Sequence, residues 1–351
     1  MNKLTKVGCS ALCGSLAAIS AANAGDLTVT GGVDMSWISK DNDVTGNPMG
    51  IGSNLTFKGS GELDNGWKFD LTVANANGNA YSSSNVNIDM GGLGQINIDQ
   101  GDSGNGIAAM DDKMPTAWEE TWGNGLSTGI KTVVGNGGSM NLMYTTPTFL
   151  GTTLTATKAW NSGTTDTADK LTGGAGTDHN YDEALDLTVN INPSFGTETL
   201  SGLNIFAGGH SKAKNNKAPR TINDYYEGVA GVTFDIGPVS LGAARSGHIM
   251  GTAETTGAVT HYTGAMWGVS FNINDDLSVS YGFHNSRKAG YENASQDMPA
   301  EANRRIEVES YQIAYSMGGA SIRLAETKGD NLHFSSANDK DVTVLSVSLA
   351  F

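Results

Sequence analysis

The side chains best placed to act on other molecules are carboxylates in one irregular stretch, residues 101–136. Up to Gly125 its only basic residue is Lys113, and its acids are Asp102, Asp111, Asp112, Glu119 and Glu120. Carboxylates grouped in this way create a negative potential that attracts cations and repels anions. A stretch of this length without strand periodicity is uncommon in a compact domain unless it has a function.

The other chemical motifs in the chain are weaker. Residues 125–129 match G-x-S-x-G around Ser127, but a catalytic serine of that type needs a strand before it and a helix after it. Here the motif lies at the end of a glycine-rich loop, so no catalytic residue is predicted. The six histidines show no metal-ligand spacing. Clustered carboxylates at Asp178, Asp182 and Glu183 are a candidate Ca²⁺ site, and no other cofactor is expected.

The first 24 residues are typical of a cleaved export signal. Two lysines precede a short run of small and apolar residues, which ends in Ala-Asn-Ala. Cleavage is predicted between Ala24 and Gly25. Because both cysteines, Cys9 and Cys13, lie in this leader, the exported chain 25–351 has to be stable without disulfides in an oxidising compartment.

The composition argues for one acidic domain. The formal net charge of the 351 residues is −15, which argues against nucleic acid as a partner and against docking on anionic membranes. No run of 18 apolar residues exists that could form a transmembrane helix. Because no linker or break in composition interrupts residues 25–351, they are expected to form a single domain.

A period of two residues dominates the chain outside the acidic stretch. From Leu27 to Trp37, apolar and small residues share one face, and polar residues such as Thr28 and Asp34 share the other. Many of these segments are longer than the usual strand of a soluble protein. Five of them precede the acidic stretch and eleven follow it, which predicts an all-β protein with sixteen strands.

The connections between these predicted strands alternate between short and long. Short ones such as Gly237-Pro238 and Gly318-Gly319 alternate with long ones such as 40–50 and 329–340. Transmembrane barrels have tight turns at one end and long loops at the other, with apolar side chains facing lipid and polar ones lining water. We therefore predict a sixteen-stranded antiparallel transmembrane β-barrel, with residues 101–136 as its third long loop, folded into the lumen.

The end of the chain adds a more specific feature. The last predicted strand alternates from Asp341 and closes on the terminal Phe351. Together with the leader, the sixteen strands and the acidic third loop, this resembles the trimeric general porins of Gram-negative outer membranes, especially those of alpha-proteobacteria. The resemblance implies a homotrimer, contact with outer-membrane lipid and lipopolysaccharide, and passive diffusion of small hydrophilic solutes and ions, without enzymatic activity.

The resemblance also implies a constriction in which acids of the third loop face basic side chains on the opposite wall. The loop acids are those named above, and the inward basic residues by alternation are Lys58, Lys68 and Arg323. Further acids on the polar faces are expected to make the lumen negative and the channel cation-selective. These lumen acids are Asp34, Asp70, Asp89, Asp99, Asp186 and Asp235.

Other functional classes remain open at this stage. A substrate-specific outer-membrane channel, for sugars or another class of solute, would show saturable binding and would be blocked by its solute. A secreted all-β surface or binding protein would bury its apolar face and would fractionate without detergent. A barrel enzyme would need a Ser/His/acid arrangement, which cannot be placed in this sequence.

Overall fold

The computed structural model describes residues 25–77, 79–101, 104–136, 139–160, 181–193, 200–215, 223–251, 259–290 and 304–350. These residues form sixteen β-strands and a few short 3₁₀ turns, so the predicted number of strands is confirmed. In chain order the strands are β1 Leu27–Asp41, β2 Met49–Glu62, β3 Lys68–Ala76, β4 Asn79–Asp89, β5 Gln95–Asp99, β6 Asn141–Thr145, β7 Thr152–Ala159, β8 Tyr181–Ile191, β9 Leu203–Lys214, β10 Tyr225–Ile236, β11 Val239–Ile249, β12 Val259–Asn272, β13 Leu277–Gly290, β14 Arg305–Met317, β15 Ala320–Asp330 and β16 Lys340–Ala350.

The sheet closes on itself. Each strand pairs antiparallel with its sequence neighbours, and β1 pairs with β16 from Gly32 opposite Ala350 to Asp41 opposite Asp341. Closure leaves no strand edge with unpaired backbone N–H and C=O groups. The predicted sixteen-stranded antiparallel barrel is therefore confirmed. No described helix is long and apolar enough to cross a membrane.

Tight turns join the strands at one end of the barrel. Gly237 and Gly318 begin two of them with φ angles of +58° and +62°. Two-residue hairpins need positive φ at their centre, which glycine adopts without steric strain. Most of the longer connections lie at the other end. Two connections depart from this pattern: residues 77–78 join β3 to β4 at the end of the long connections, and residues 192–202 join β8 to β9 at the end of the tight turns.

The outer face of the barrel is apolar and exposed. Leu324 on β15 lies opposite Leu345 on β16, which lies opposite Trp37 on β1, and all three side chains are exposed. On β12 and β13 the rings of Trp267 and Tyr281 lie 5.1 Å apart between centroids. A continuous exposed apolar surface of this kind is what a barrel presents to lipid.

The interior of the barrel holds two buried apolar clusters. Cluster one consists of Ile107, Met110, Val133, Phe206, Val229, Ala244 and Met266. Cluster two consists of Leu126, Ile306, Val308, Leu332, Phe334, Val342 and Val344. Each combines inward side chains of the strands with side chains of the connection between β5 and β6, and cluster two also includes the connection between β15 and β16. Part of the interior is therefore packed rather than open.

A new charge should destabilise the barrel on its outer face and have little effect on its inner face. We expect Leu345→Arg, on the outer face of β16, to lower the free energy of unfolding in phospholipid vesicles by about 2–4 kcal/mol. The control Thr30→Arg, on the inner face of β1, should change it by about 0.5 kcal/mol or less. Urea titration of both variants in vesicles measures the difference, and the reverse order would show that the apolar face is the buried one.

Candidate functional site

The connection between β5 and β6 lies along the inner wall, and its described part, residues 104–136, is called the inner segment below. Its backbone N–H groups bond inward side chains of β8 and β14, and its side chains pack against inward side chains of β16. A single segment reaches those strands of a closed barrel only from the inside. Ile107 and Met110 lie on a 3₁₀ turn, Gly106–Met110, and pack into cluster one.

The backbone of the inner segment is hydrogen-bonded to side chains of the wall. The N–H groups of Trp118 and Glu119 both donate to Oε1 of Gln312 on β14, at 2.9 and 3.1 Å. Nε2 of Gln312 donates to the carbonyl of Glu119, at 2.7 Å. Two hydroxyls on β13 accept further N–H groups, Ser280 from Ala117 (2.8 Å) and Ser286 from Lys131 (2.9 Å). The backbone of the inner segment, which has no regular secondary structure here, thereby has hydrogen-bond partners away from bulk water.

Two buried carboxylates of the wall also accept backbone N–H groups of the inner segment. Asp186 on β8 accepts from Ile107 and Asn136, and Glu227 on β10 accepts from residues 134 and 135. Asp186 was predicted as a lumen acid in water, but its side chain is fully buried. Glu227 was missed, although it alternates in phase with Asp235 further along β10.

Glycines on three adjacent strands make room for the inner segment. A Cβ atom at Gly242 or Gly268 would lie 2.5 Å from Cδ or 2.7 Å from the carbonyl oxygen of Pro115. At Gly282 it would lie 2.0 Å from Oγ1 of Thr121. Distances this short are not tolerated, so only glycine permits the observed approach. The sequence pattern places these glycines on the inner face, but it does not indicate that the inner segment packs on them.

A cavity of about 470 Å³, called the aperture below, separates the inner segment from β1, β2 and β16. Its lining includes Trp118 and Glu119 of the segment and Asp34 of β1. Arg323 lies next to it: Nη2 is 2.6 Å from Oδ2 of Asp34, and the guanidinium lies over the Trp118 ring, 4.9 Å from its centroid. One predicted basic residue, Arg323, is therefore paired with the predicted lumen acid Asp34, and its charge also acts on Glu119 of the inner segment.

The other loop acids lie close by. Asp111, Asp112 and Glu120 share a small cavity with His284 of β13. Burial, with the charge of Asp112 as the next cause, raises the pKa of Asp111 to about 6. Burial, with a hydrogen bond to Glu120 as the next cause, raises the pKa of Glu119 to about 7. Asp102 lies outside the described residues.

Lys58 and Lys68 lie apart from the inner segment. Both line a different cavity, of about 660 Å³, near the tight turns of β1–β4, with no residue of the inner segment in its lining. Lys58 lies opposite Thr28, whereas Asp34 is six residues further along β1, roughly 20 Å away at about 3.3 Å per residue. The prediction that the three basic residues share one wall facing the loop acids is therefore wrong for these two lysines.

The predicted lumen acids differ in their surroundings. Asp70 is 3.3 Å from Nζ of Lys58, and Asp89 accepts a hydrogen bond from the backbone of Gly91. Asp99 is buried beneath Asn141 rather than facing open water. Asp34 is paired with Arg323, as described above. Their negative charge is therefore partly neutralised or buried. Alternation in the sequence assigns each acid to the inner face, but it does not reveal these partners.

The candidate calcium residues are divided among other partners. Asp182 accepts a hydrogen bond from Asn215, Glu183 pairs with Lys158, and Asp178 lies outside the described residues. Within the described ranges, no three metal-ligating side chains come together. Calcium binding stays a prediction.

The serine of the G-x-S-x-G motif lies next to a histidine, which the sequence did not indicate. Oγ of Ser127 lies 3.2 Å from Nε2 of His333, in the connection between β15 and β16. Among the described residues no carboxylate bonds the other ring nitrogen of His333, and no helix follows Ser127. The strand–serine–helix context of a nucleophile elbow is absent from this part of the structure.

A closed barrel with an apolar outside, a polar inside and an irregular inner segment defines the class of transmembrane barrel channels. The family description that matches the sequence is "Gram-negative porin", over residues 8–350. The chain therefore belongs to the Gram-negative porin family and is an outer-membrane channel for diffusion. The alpha-proteobacterial type stays a prediction. No curated protein sequence matches the chain.

Solved structures with the same fold are distant in sequence. OmpF of Salmonella typhi in complex with daunomycin is 10% identical with a TM-score of 0.64, covering 93% of this chain and 98% of that chain. The anion-selective porin of Comamonas acidovorans is 15% identical with a TM-score of 0.61, at 93% and 100% coverage. OmpT of Vibrio cholerae in its trimer form is 11% identical with a TM-score of 0.62, at 93% and 99% coverage.

The glycines under the inner segment can be tested directly. We expect Gly282→Val to displace Thr121 and to increase deuterium uptake in residues 117–124, because a Cβ there has no room. The control Gly59→Val, on β2, meets nothing within 4 Å and should leave the uptake of that peptide unchanged. Equal uptake in wild type and Gly282→Val would contradict the close packing.

Proposed function

We propose that the protein is a cation-selective, water-filled channel for small hydrophilic solutes and ions, and that the inner segment narrows it. The observation that carries this proposal is the aperture, where Glu119 of the segment and Asp34 of the wall line one cavity with a single paired cation, Arg323, beside it. Water in the lumen removes the cost of moving a polar solute through hydrocarbon, and the aperture limits its size.

The sign of the selectivity follows from side chains rather than from the fold. The Comamonas acidovorans porin with the same fold is described as anion-selective. In this chain the acids at the aperture and on the adjoining part of the inner segment outnumber the basic residues: Asp34, Asp111, Asp112, Glu119 and Glu120 stand against Arg323 and Lys113. An excess of negative charge in a narrow, water-filled passage favours cations over anions.

The proposal includes a homotrimer and contacts with outer-membrane lipid and lipopolysaccharide. A trimer form is described for OmpT of Vibrio cholerae, which shares the fold. The exposed apolar side chains on β15, β16 and β1 supply a surface for lipid or for a second copy of the chain. Cross-linking in native outer membranes measures the number of copies.

A substrate-specific channel is the second candidate function. Trp118 lines the aperture together with the polar side chains of Asp34, Ser36 and Asn77. An aromatic ring beside several hydrogen-bonding groups is suited to sugars, which have an apolar and a polar face. Saturable block of the ion current by a sugar would favour this candidate, and current that stays proportional to salt with sugars present would favour the general channel.

The acids in and next to the aperture, Glu119 and Glu120, are tested by neutralisation. In planar bilayers under a salt gradient, wild type should give a reversal potential favouring cations. We expect Glu119→Gln with Glu120→Gln to lower the cation-to-anion permeability ratio by roughly twofold or more, because the local negative potential falls. The control Asp64→Asn with Asp275→Asn, in exposed tight turns, removes the same charge and should have little effect. Anion preference in wild type would refute the proposed selectivity.

The raised pKa values of Asp111 and Glu119 make the selectivity dependent on pH. An acid with a raised pKa is neutral below that pKa and negative above it, so both groups gain charge as pH rises through about 6 and about 7. We expect the cation-to-anion permeability ratio to rise between about pH 5 and about pH 8. Asp111→Asn with Glu119→Gln should flatten this part of the profile, and a steep profile in that variant would assign it to other groups.

A further inference from the structure

Four ionisable side chains form one row across the inner wall. In the strand register Asp186 on β8 lies opposite His210 on β9, which lies opposite Glu227 on β10, which lies opposite His248 on β11. All four residues are at most 7% exposed. Directly opposite residues of antiparallel strands are close enough for their side chains to interact. Acid and imidazole alternate along the row.

One oxygen of each carboxylate contacts side chains of the neighbouring strands. Oδ1 of Asp186 lies 2.5 Å from Nδ1 of His210. Oε1 of Glu227 accepts the hydroxyl of Tyr225 at 2.7 Å and lies 3.7 Å from Nδ1 of His248. These contacts orient both carboxylates across the strands, so the second oxygen of each points toward the inner segment.

The second oxygens hold the two ends of the inner segment. Oδ2 of Asp186 accepts the N–H of Ile107 at 3.2 Å and that of Asn136 at 3.3 Å, so a single oxygen closes the neck of the connection between β5 and β6. Oε2 of Glu227 accepts the N–H groups of Val134 and Gly135, at 2.7 and 2.9 Å. Cluster one, which includes Ile107, covers these bonds.

Hydrogen bonds to the two carboxylates are stronger than the other hydrogen bonds that hold the inner segment. Ser280, Ser286 and Gln312 are neutral acceptors of N–H groups of the inner segment. Bonds to a charged acceptor are worth roughly twice as much, and more is lost when a buried partner is left unpaired. The row therefore holds the segment more strongly than the contacts on β13 and β14 do.

We propose that Asp186–His210 and Glu227–His248 form a latch that holds both ends of the inner segment against β8–β11 and so fixes the width of the aperture. The proposal rests on the proposed function, in which the segment narrows the channel. The four side chains act as positioning residues: Asp186 and Glu227 bond the segment, and the two histidines hold these carboxylates. Releasing them lets the two ends of the inner segment, at Ile107 and at residues 134–136, move off the wall while the barrel stays closed.

The test uses the full chain purified from outer membranes, with Asp186→Asn and Glu227→Gln combined. These variants keep the side-chain volume and remove the charge that strengthens the bonds. We expect amide exchange in peptides holding Ile107 and residues 134–136 to accelerate by about tenfold or more, as for the loss of a hydrogen bond to a charged group. Single-channel conductance should change and its open-channel noise should increase.

The matched control is Asp70→Asn with Asp89→Asn. It removes the same charge from the inner face but leaves every contact of the inner segment intact, because both acids line the other cavity. Amide exchange of the segment should stay at the wild-type rate in this control. The melting of each barrel by gel mobility shows whether a variant is closed, and Glu227→Gln alone provides the same readouts if the double variant does not assemble.

The outcomes separate the latch from the proposed function. Unchanged exchange and unchanged noise in a closed double variant would overturn the latch and leave the channel standing. Faster exchange with unchanged conductance and noise would confirm that the row holds the segment but would overturn its control of the aperture. A wild type that inserts without conducting would refute the proposed function, whatever the exchange rates are.

Discussion

The need to satisfy every backbone hydrogen bond away from water governs this structure. In hydrocarbon an unpaired N–H or C=O group costs several kcal/mol, so strands cross a membrane only in a closed barrel. Here the pairing of β1 with β16 removes the last free edges. Closure then makes two faces unavoidable, and the period of two residues sends apolar side chains outward and polar ones inward.

The same requirement applies inside the barrel. The inner segment has no strand partners, so its backbone N–H groups need acceptors from the wall. The wall supplies them as side chains: Gln312 and the serines of β13 in the middle, and Asp186 and Glu227 at the ends. Glycines beneath the segment provide the room. An inward face that looks merely polar in sequence is thus shaped to fit one particular segment.

Much of the fold could be predicted from the sequence, because alternation and the spacing of turns depend on neighbouring residues only. Which inward side chains of different strands come into contact could not be predicted. Lys58 and Arg323 lie on strands that closure brings near one another, yet Lys58 lies opposite Thr28 while Arg323 lies opposite Ser346, which lies opposite Ser36. Thr28 and Ser36 are eight residues apart on β1, so Lys58 and Arg323 lie roughly 26 Å apart along the strands. Position along the barrel depends on register, which face alternation does not reveal.

The connection between β15 and β16 shows that the inner segment is held from a second side. His333 and Phe334 adopt left-handed φ angles of +56° and +58°, a conformation that costs of order 1–3 kcal/mol for a residue other than glycine. Burial of Phe334 in cluster two and the bond from the His333 N–H to the carbonyl of Thr128, at 2.9 Å, offset this cost. The segment is therefore fixed at its ends by the β8–β11 row and in its second half by this connection. Between these supports, the stretch that carries Trp118 and Glu119 lines the aperture together with β1 and β2.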